Sequence, residues 1–242
     1  MLSDKRVLIT GSSRGIGAAA ARLAQRYGAA VVLHGRTESP ALTALAAELD
    51  CPFVAFDAED REAVAGALRG AAEAHGTIDA LINCVGGVAP APLLTLRPEE
   101  LLADYRRNLV AVANVCLEAV AHISDGGRIV NVSSMRGIPE AASPRTTAYS
   151  ASKAALIGFS VALAKELAPR VSVNVVSPGM TVTDMAQTWD EKVWRQAASG
   201  LVGRAAEPEE VAEVALFLAS PRASYVNAQN VCVDGGYLVA GK

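Results

Sequence analysis

The chain is sparing with aromatic residues, histidine and cysteine, and it carries no large excess of either charge. Aromatics are 5% of 242 residues, with three histidines and four cysteines. Cys51, Cys84, Cys116 and Cys232 are widely spaced and form no Cys-x-x-Cys pair. Such spacing supplies neither a zinc site nor a redox dithiol. It points to reduced thiols, no metal and a cytoplasmic setting. A net charge of −3 gives no basic surface, so nucleic acid is not an expected partner. No apolar run approaches the ~18 residues that span a bilayer, so no membrane partner is expected either. Met1-Leu2-Ser3-Asp4-Lys5-Arg6 leads directly into a hydrophobic run, which leaves no room for a signal peptide.

What is abundant is aliphatic. Hydrophobic residues are 51% of the chain, ample for a buried sheet with helices on both faces. Short apolar runs near 7–10, 30–34, 53–56, 80–83, 127–133 and 171–176 predict strands. They alternate with helical patterns near 15–27, 41–49, 61–74, 98–123, 147–167 and 208–219. Near-continuous apolar strands between helices suit a parallel sheet covered on both faces. The length suits a single α/β domain over residues 1–242.

Two segments carry chemistry. The run Arg6-Val7-Leu8-Ile9-Thr10 ends in Gly11-Ser12-Ser13-Arg14-Gly15-Ile16-Gly17, and an alanine-rich helical stretch follows at once. In a strand–turn–helix of this kind the glycines let backbone approach a pyrophosphate. The helix N-terminus offers it free N–H groups and a positive dipole end. The spacing is Gly-x-x-x-Gly-x-Gly rather than the commoner Gly-x-Gly-x-x-Gly. With right-handed crossovers the alternation becomes a doubly wound Rossmann sheet. The second segment is Ala148-Tyr149-Ser150-Ala151-Ser152-Lys153, which places Tyr149 and Lys153 one helical turn apart on one face. A free phenol titrates near pH ~10; a cation held close favours the phenolate and makes it a usable acid and base.

Together these segments resemble the short-chain dehydrogenase/reductase family, and the resemblance covers almost the whole chain. Residues 10–17 are similar to its Thr-Gly-x-x-x-Gly-Ile-Gly turn. Asn83-Cys84-Val85-Gly86 is similar to its Asn-Asn-Ala-Gly, and Asn108 to its helix asparagine. Ser134 matches the family serine; Ser133 is a rival, but the glycine three positions on, Gly137, selects Ser134. Tyr149 and Lys153 complete the tetrad. Pro178-Gly179-Met180-Thr181-Val182-Thr183 resembles the family's Pro-Gly turn, and Gly203-Arg204 with Val233-Asp234-Gly235-Gly236 closes the match. The resemblance implies a seventh strand near 230–233, hence a seven-stranded parallel sheet. It also implies a substrate lid at about 181–203, the stretch that holds Trp189, Trp194 and Met185.

The activity implied is hydride transfer between a nicotinamide and a ketone or secondary alcohol, with a small carbonyl or alcohol as substrate. Asn108, Ser134, Tyr149 and Lys153 would be catalytic. Tyr149 would move the proton, Ser134 would bond the same oxygen, Lys153 would lower the Tyr149 pKa and hold ribose hydroxyls, and Asn108 would support a water-linked relay. Cofactor contacts would come from Gly11, Ser13, Arg14, Gly15, Ile16 and Gly17 in the turn, and from Arg36, Asp57, Asn83 and Gly86. Pro178, Gly179, Thr181 and Thr183 would add to these, with Tyr149 and Lys153. Asp57 would meet the adenine and Thr183 the nicotinamide carboxamide. An NAD-preferring enzyme places an acid at the end of the second strand. Here Leu33-His34-Gly35-Arg36 puts glycine there and arginine next, with Arg14 in the turn. Two guanidiniums suit a 2′-phosphate, so NADP(H) is expected over NAD(H).

Within the family the chain most resembles 3-oxoacyl-carrier-protein reductases. Members that dock an acidic acyl carrier protein tend to show basic residues before the strand at 127–128. Here Ala121-His122-Ile123-Ser124-Asp125-Gly126 has an acid and no Lys or Arg, with Arg170 as one possible contact, which argues against that partner. A dehydrogenase of a sugar, polyol or cyclic alcohol is the alternative. A non-catalytic dinucleotide sensor is remote, since such proteins commonly lose the tyrosine or lysine kept here. The 135–148 segment, with Arg136, Pro139, Pro144 and Arg145, is read either as a loop that reshapes the substrate mouth or as a surface insertion only. Small residues at Ala111, Ala113, Ala154, Ala155 and Gly158 permit close helix pairing across a two-fold axis, and the family pattern then implies a homotetramer.

Overall fold

The structure, a computed structural model, describes residues 1–240, with the Met185 side chain outside the described set. Its strands are β1 (Arg6–Thr10), β2 (Ala30–Gly35), β3 (Phe53–Ala55), β4 (Ile78–Asn83), β5 (Ile123–Val132), β6 (Val171–Pro178) and β7 (Asn230–Val233). They form one seven-stranded sheet in the order β3-β2-β1-β4-β5-β6-β7. Every neighbouring pair is parallel.

Alternation along each strand feeds two separate cores, as the two-residue side-chain period requires. Val7, Ile9, Val31, Leu33, Ile82 and Val130 pack on one face, under α1 (Gly15–Arg26), α2 (Pro40–Leu49) and α8 (Pro208–Leu218). Leu8, Val32, Leu81, Ile129 and Val173 pack on the other. That face is covered by α3 (Arg61–His75), α5 (Ala111–Ala119) and α6 (Thr147–Leu167). The order reverses between β1 and β4, so a crevice opens outside their carboxyl ends.

The predicted helix over 98–123 is not one helix. It is α4 (Pro98–Tyr105), a π-helical turn (Arg106–Val110), α5 and a single 3-10 turn (Val120–His122). The Asn108 side chain causes no break in composition; it bonds across to Gly87 and widens the turn. β5 also begins at Ile123 rather than near 127. Ile123 pairs with Ile78, and pairing resumes at Arg128 with Ala80, leaving a bulge that polar Ser124 and Asp125 disguise. The 181–203 stretch holds a 3-10 turn (Asp184–Thr188) and α7 (Glu191–Ala197). Trp189 and Trp194 meet edge-on there at 4.9 Å between ring centroids.

Candidate active site

The crevice at the switch point is a cleft of about 870 Å³. Gly11, Ser13, Arg14, Gly15, Ile16 and Gly17 form one wall. Arg14 caps α1 in extended conformation without a side-chain cap bond, and the first turn has no acid. The orphan N–H groups and the positive dipole end therefore face the cleft. Arg36, Asp57, Gly86 and Thr183 also line it. Arg36 Nη2 lies 2.8 Å from Asp57 Oδ2, with the arginine largely exposed.

Asn83, Pro178, Gly179 and Thr181 do not line this cleft. Asn83 is fully buried beneath the cleft. Its amide donates to Asn131 Oδ1 at 2.9 Å, and its oxygen accepts from Thr10 Oγ1 at 2.9 Å. The side chain thus ties β1, β4 and β5 together. The Thr181 hydroxyl donates to Gly179 O at 3.3 Å and is buried, so it closes the Pro178-Gly179 turn. Gly179 itself borders a separate cavity of about 180 Å³ with Met180 and Asp234. Sequence reasoning missed His34, which lies under the cleft as an imidazole in an otherwise apolar strand; that lone polar residue was the available signal.

The tetrad draws Ser134 from the turn after β5, Tyr149 and Lys153 from α6, and Asn108 from the π-helical turn. Consecutive serines end β5 and divide two tasks. The Ser133 hydroxyl donates to Lys153 O at 2.9 Å, pinning the strand end to the helix. The Ser134 hydroxyl accepts from the Arg136 N–H at 3.1 Å. A Cβ on Gly137 would come within 2.7 Å of the Lys153 carbonyl carbon. Only glycine lets this turn lie flat on α6, which is the physical reason the residue marks Ser134.

Lys153 is buried and its Nζ donates to Val132 O at 2.9 Å. It lies 5.9 Å from the Tyr149 ring centroid. Burial pulls the Lys153 ammonium down to about 8. The Tyr149 phenol is pushed up from its ordinary value. Burial is the largest cause, opposed by the Ser134 hydroxyl and the Arg136 charge. This corrects the expected direction, because desolvation outweighs nearby cations. Asn108 Nδ2 donates to Gly87 O and Asp104 O, both at 3.0 Å, and its Oδ1 accepts from Gly87 N at 2.9 Å. Its side chain is therefore occupied in positioning the 86–87 segment. A Cβ on Gly86 would sit 2.7 Å from Asn108 Oδ1 and 3.2 Å from Lys153 Nζ, so backbone passes directly over both.

Among the described residues no group of three or more His, Cys, Asp or Glu could hold a metal. No helix there is long and apolar enough to cross a membrane.

A phosphate-ready helix end, opening beside a tyrosine, a serine and a buried lysine, defines a nicotinamide-dependent oxidoreductase. Comparison with known proteins agrees. The family model described as Enoyl-(Acyl carrier protein) reductase matches residues 11–238. The 3-oxoacyl-(acyl-carrier-protein) reductase FabG of Thermotoga maritima is 38% identical, over 98% of this chain and 99% of its own. A 3alpha-hydroxysteroid dehydrogenase of Mediterraneibacter gnavus is 35% identical, over 97% of both chains. A short chain dehydrogenase of Burkholderia cenocepacia in complex with NADP has a TM-score of 0.90 at 33% identity, with 98% of each chain covered. The chain belongs to the short-chain dehydrogenase/reductase family, as an oxidoreductase that interconverts an alcohol and a ketone with NAD(P).

Proposed function

We propose that the protein is an NADP(H)-dependent reductase of 3-oxoacyl-like ketones that are not delivered on a carrier protein. The observation that carries this reading is the meeting of Ser134, Tyr149 and Lys153 beside a cleft that Arg36 lines, with no acid at Gly35. The α1 N-terminus fits a pyrophosphate, Thr183 the carboxamide, and Arg14 with Arg36 a 2′-phosphate. The nicotinamide supplies the hydride when bound. Tyr149 protonates the developing alkoxide, Ser134 donates a second bond to the same oxygen, and Lys153 holds ribose hydroxyls while its charge opposes the desolvation of the phenol. Asn108 fixes Gly86 and Gly87 against the cofactor. Neutral Tyr149 suits reduction, since a phenol pushed upward is fully protonated at neutral pH.

Support for NADP(H) includes the bound NADP named for the Burkholderia relative. Against a carrier protein stands Arg170, whose guanidinium donates to Ile123 O and Val120 O at 3.0 and 3.1 Å; that cation is already engaged. The hydroxysteroid dehydrogenase relative supports a second reading, a dehydrogenase of a cyclic alcohol. We read residues 1–242 as one domain with its lid at 181–203. Exposed apolar side chains at Leu102, Val110 and Leu117 on the α4–α5 side, and at Phe217 and Tyr225, support a homotetramer. Free cysteines support a cytoplasmic setting.

A screen of 3-oxo acids, 3-oxo esters, cyclic ketones and sugars with NADPH and NADH tests the activity. Turnover of none of them would overturn it. Arg36→Ala tests the cofactor: NADPH affinity should fall on the order of 10- to 100-fold, and NADH affinity should barely change. Equal losses would show that Arg36 does not read the 2′-phosphate. Light scattering near the 25.0 kDa chain mass would exclude the tetramer.

A further inference from the structure

One cation beside the tetrad has no part in the proposed reduction. Arg136 follows Ser134 by two residues, in a single 3-10 turn (Met135–Gly137), and its peptide N–H bonds the serine hydroxyl. Its side chain is half-buried. Nη1 donates to Ala141 O at 2.7 Å, which folds the 135–148 segment around it. The guanidinium carbon stands 5.7 Å from the Tyr237 ring centroid. Tyr237 Oη in turn accepts from Gln196 Nε2 at 2.8 Å, in the lid helix α7. Post-serine loop, C-terminal segment and lid thus converge on one side chain.

Among the described residues no carboxylate lies within ion-pair range of Arg136. A guanidinium partly out of water without a counter-ion is unfavourable. Of its five N–H groups, one has a carbonyl partner among the described residues. The planar guanidinium fork matches a carboxylate edge-on. Its peptide bond to the Ser134 hydroxyl holds the residue beside the reacting groups.

We propose that Arg136 is a specificity residue for an acidic substrate: the ketone carries a carboxylate a few atoms from the reacting carbon, and Arg136 grips it under the lid. This rests on the reading that Ser134 and Tyr149 reduce a carbonyl. It separates this chain's substrate from neutral esters, thioesters and cyclic ketones. A phosphate would satisfy the same fork, and the test includes it.

The experiment compares a 3-oxo acid, its methyl ester and a keto phosphate of similar length in wild type, Arg136→Gln and Arg136→Lys. The wild type should favour the acid over the ester by tenfold or more in kcat/KM. Arg136→Gln should lower kcat/KM for the acid on the order of 10- to 100-fold, through KM, and leave the ester within threefold. Arg136→Lys should recover part of the loss. A structural brace would instead weaken acid and ester alike. A residue acting only on Tyr149 would move kcat and its pH profile without changing KM. Either result overturns the proposal, as does a keto phosphate strongly favoured over the acid. Calorimetric binding of the 3-hydroxy acid to the NADP-loaded protein keeps the two readings apart. If Tyr149→Phe retains that binding and Arg136→Gln loses it, the acid site stands even where turnover is absent. Should Arg136→Gln fail to fold, wild-type binding of ester as tight as acid overturns the proposal by itself.

Discussion

The imidazole of His34 accepts a hydrogen bond from the Gly11 amide, Nδ1 to N, at 3.1 Å. Its Nε2 therefore carries the proton and donates to Phe56 O at 3.0 Å. The ring joins the phosphate-binding turn to the end of β3 and stacks on Phe56 at 3.9 Å. The bond from Gly11 needs the neutral ring, because a protonated Nδ1 cannot accept. Burial pulls His34 down to about 4, against the Phe56 carbonyl bond and the charge of Asp57. Because the folded value lies below the unfolded 6.5, the stability it contributes is complete above pH 6.5 and is lost as pH falls toward 4. Chemical denaturation should show wild type losing about 3 kcal/mol over that window relative to His34→Asn, which keeps an acceptor for Gly11. Parallel pH curves for the two proteins would refute the assignment.

Tyr149→Phe keeps the packed ring and removes the proton. Turnover should drop on the order of 10²–10⁴-fold, while NADPH titration by fluorescence stays near wild type. Activity within tenfold of wild type would place the proton donor elsewhere.

Lys153→Met should make a more stable and inactive protein. Bringing the buried ammonium from 10.5 down to about 8 reflects a cost of about 3 kcal/mol at neutral pH. Loss of the Val132 bond returns about 1 kcal/mol of that. A net gain of about 1–2 kcal/mol should appear at pH 7 in urea melts. The folded value is the lower one, so the wild-type penalty is complete below pH 8 and disappears as pH rises to 10.5. The advantage of methionine should fade in the same window.

The two serines should separate cleanly. Ser134→Ala removes a bond to the reacting oxygen and should cost on the order of 10²–10³-fold in kcat with little change in melting. Ser133→Ala breaks the buried bond to Lys153 O and should cost about 1 kcal/mol in stability, with a smaller loss of rate. Reversed phenotypes would mean that Ser133, not Ser134, faces the substrate.

Strand positions, the phosphate-binding turn and the Tyr149–Lys153 face were legible because each depends on local pattern: apolar runs, glycine spacing, helical repeat. What escaped depends on distant partners. The π-helical turn at Asn108 lies in a stretch of ordinary helix formers, and its partner Gly87 is in another segment. The Asn83 side chain turns inward because Asn131 and Thr10 await it on neighbouring strands. The Thr181 hydroxyl closes its own turn, a choice spacing does not reveal. The rise of the Tyr149 phenol follows from burial, which no sequence interval encodes.

The anchoring of Ser133 on the Lys153 carbonyl, with Gly137 flat against α6, has a consequence for how this protein can change. The reacting groups belong to the β5–α6 body, whose bonds break only when that body opens. Leu93, Leu94 and Thr95 near the cleft rim are exposed, as are much of α7 and the turn before it. Substitutions there disturb little buried contact. Substrate choice can therefore drift by alteration of peripheral segments while the proton-handling geometry is inherited intact, which gives one scaffold a wide range of attainable specificities.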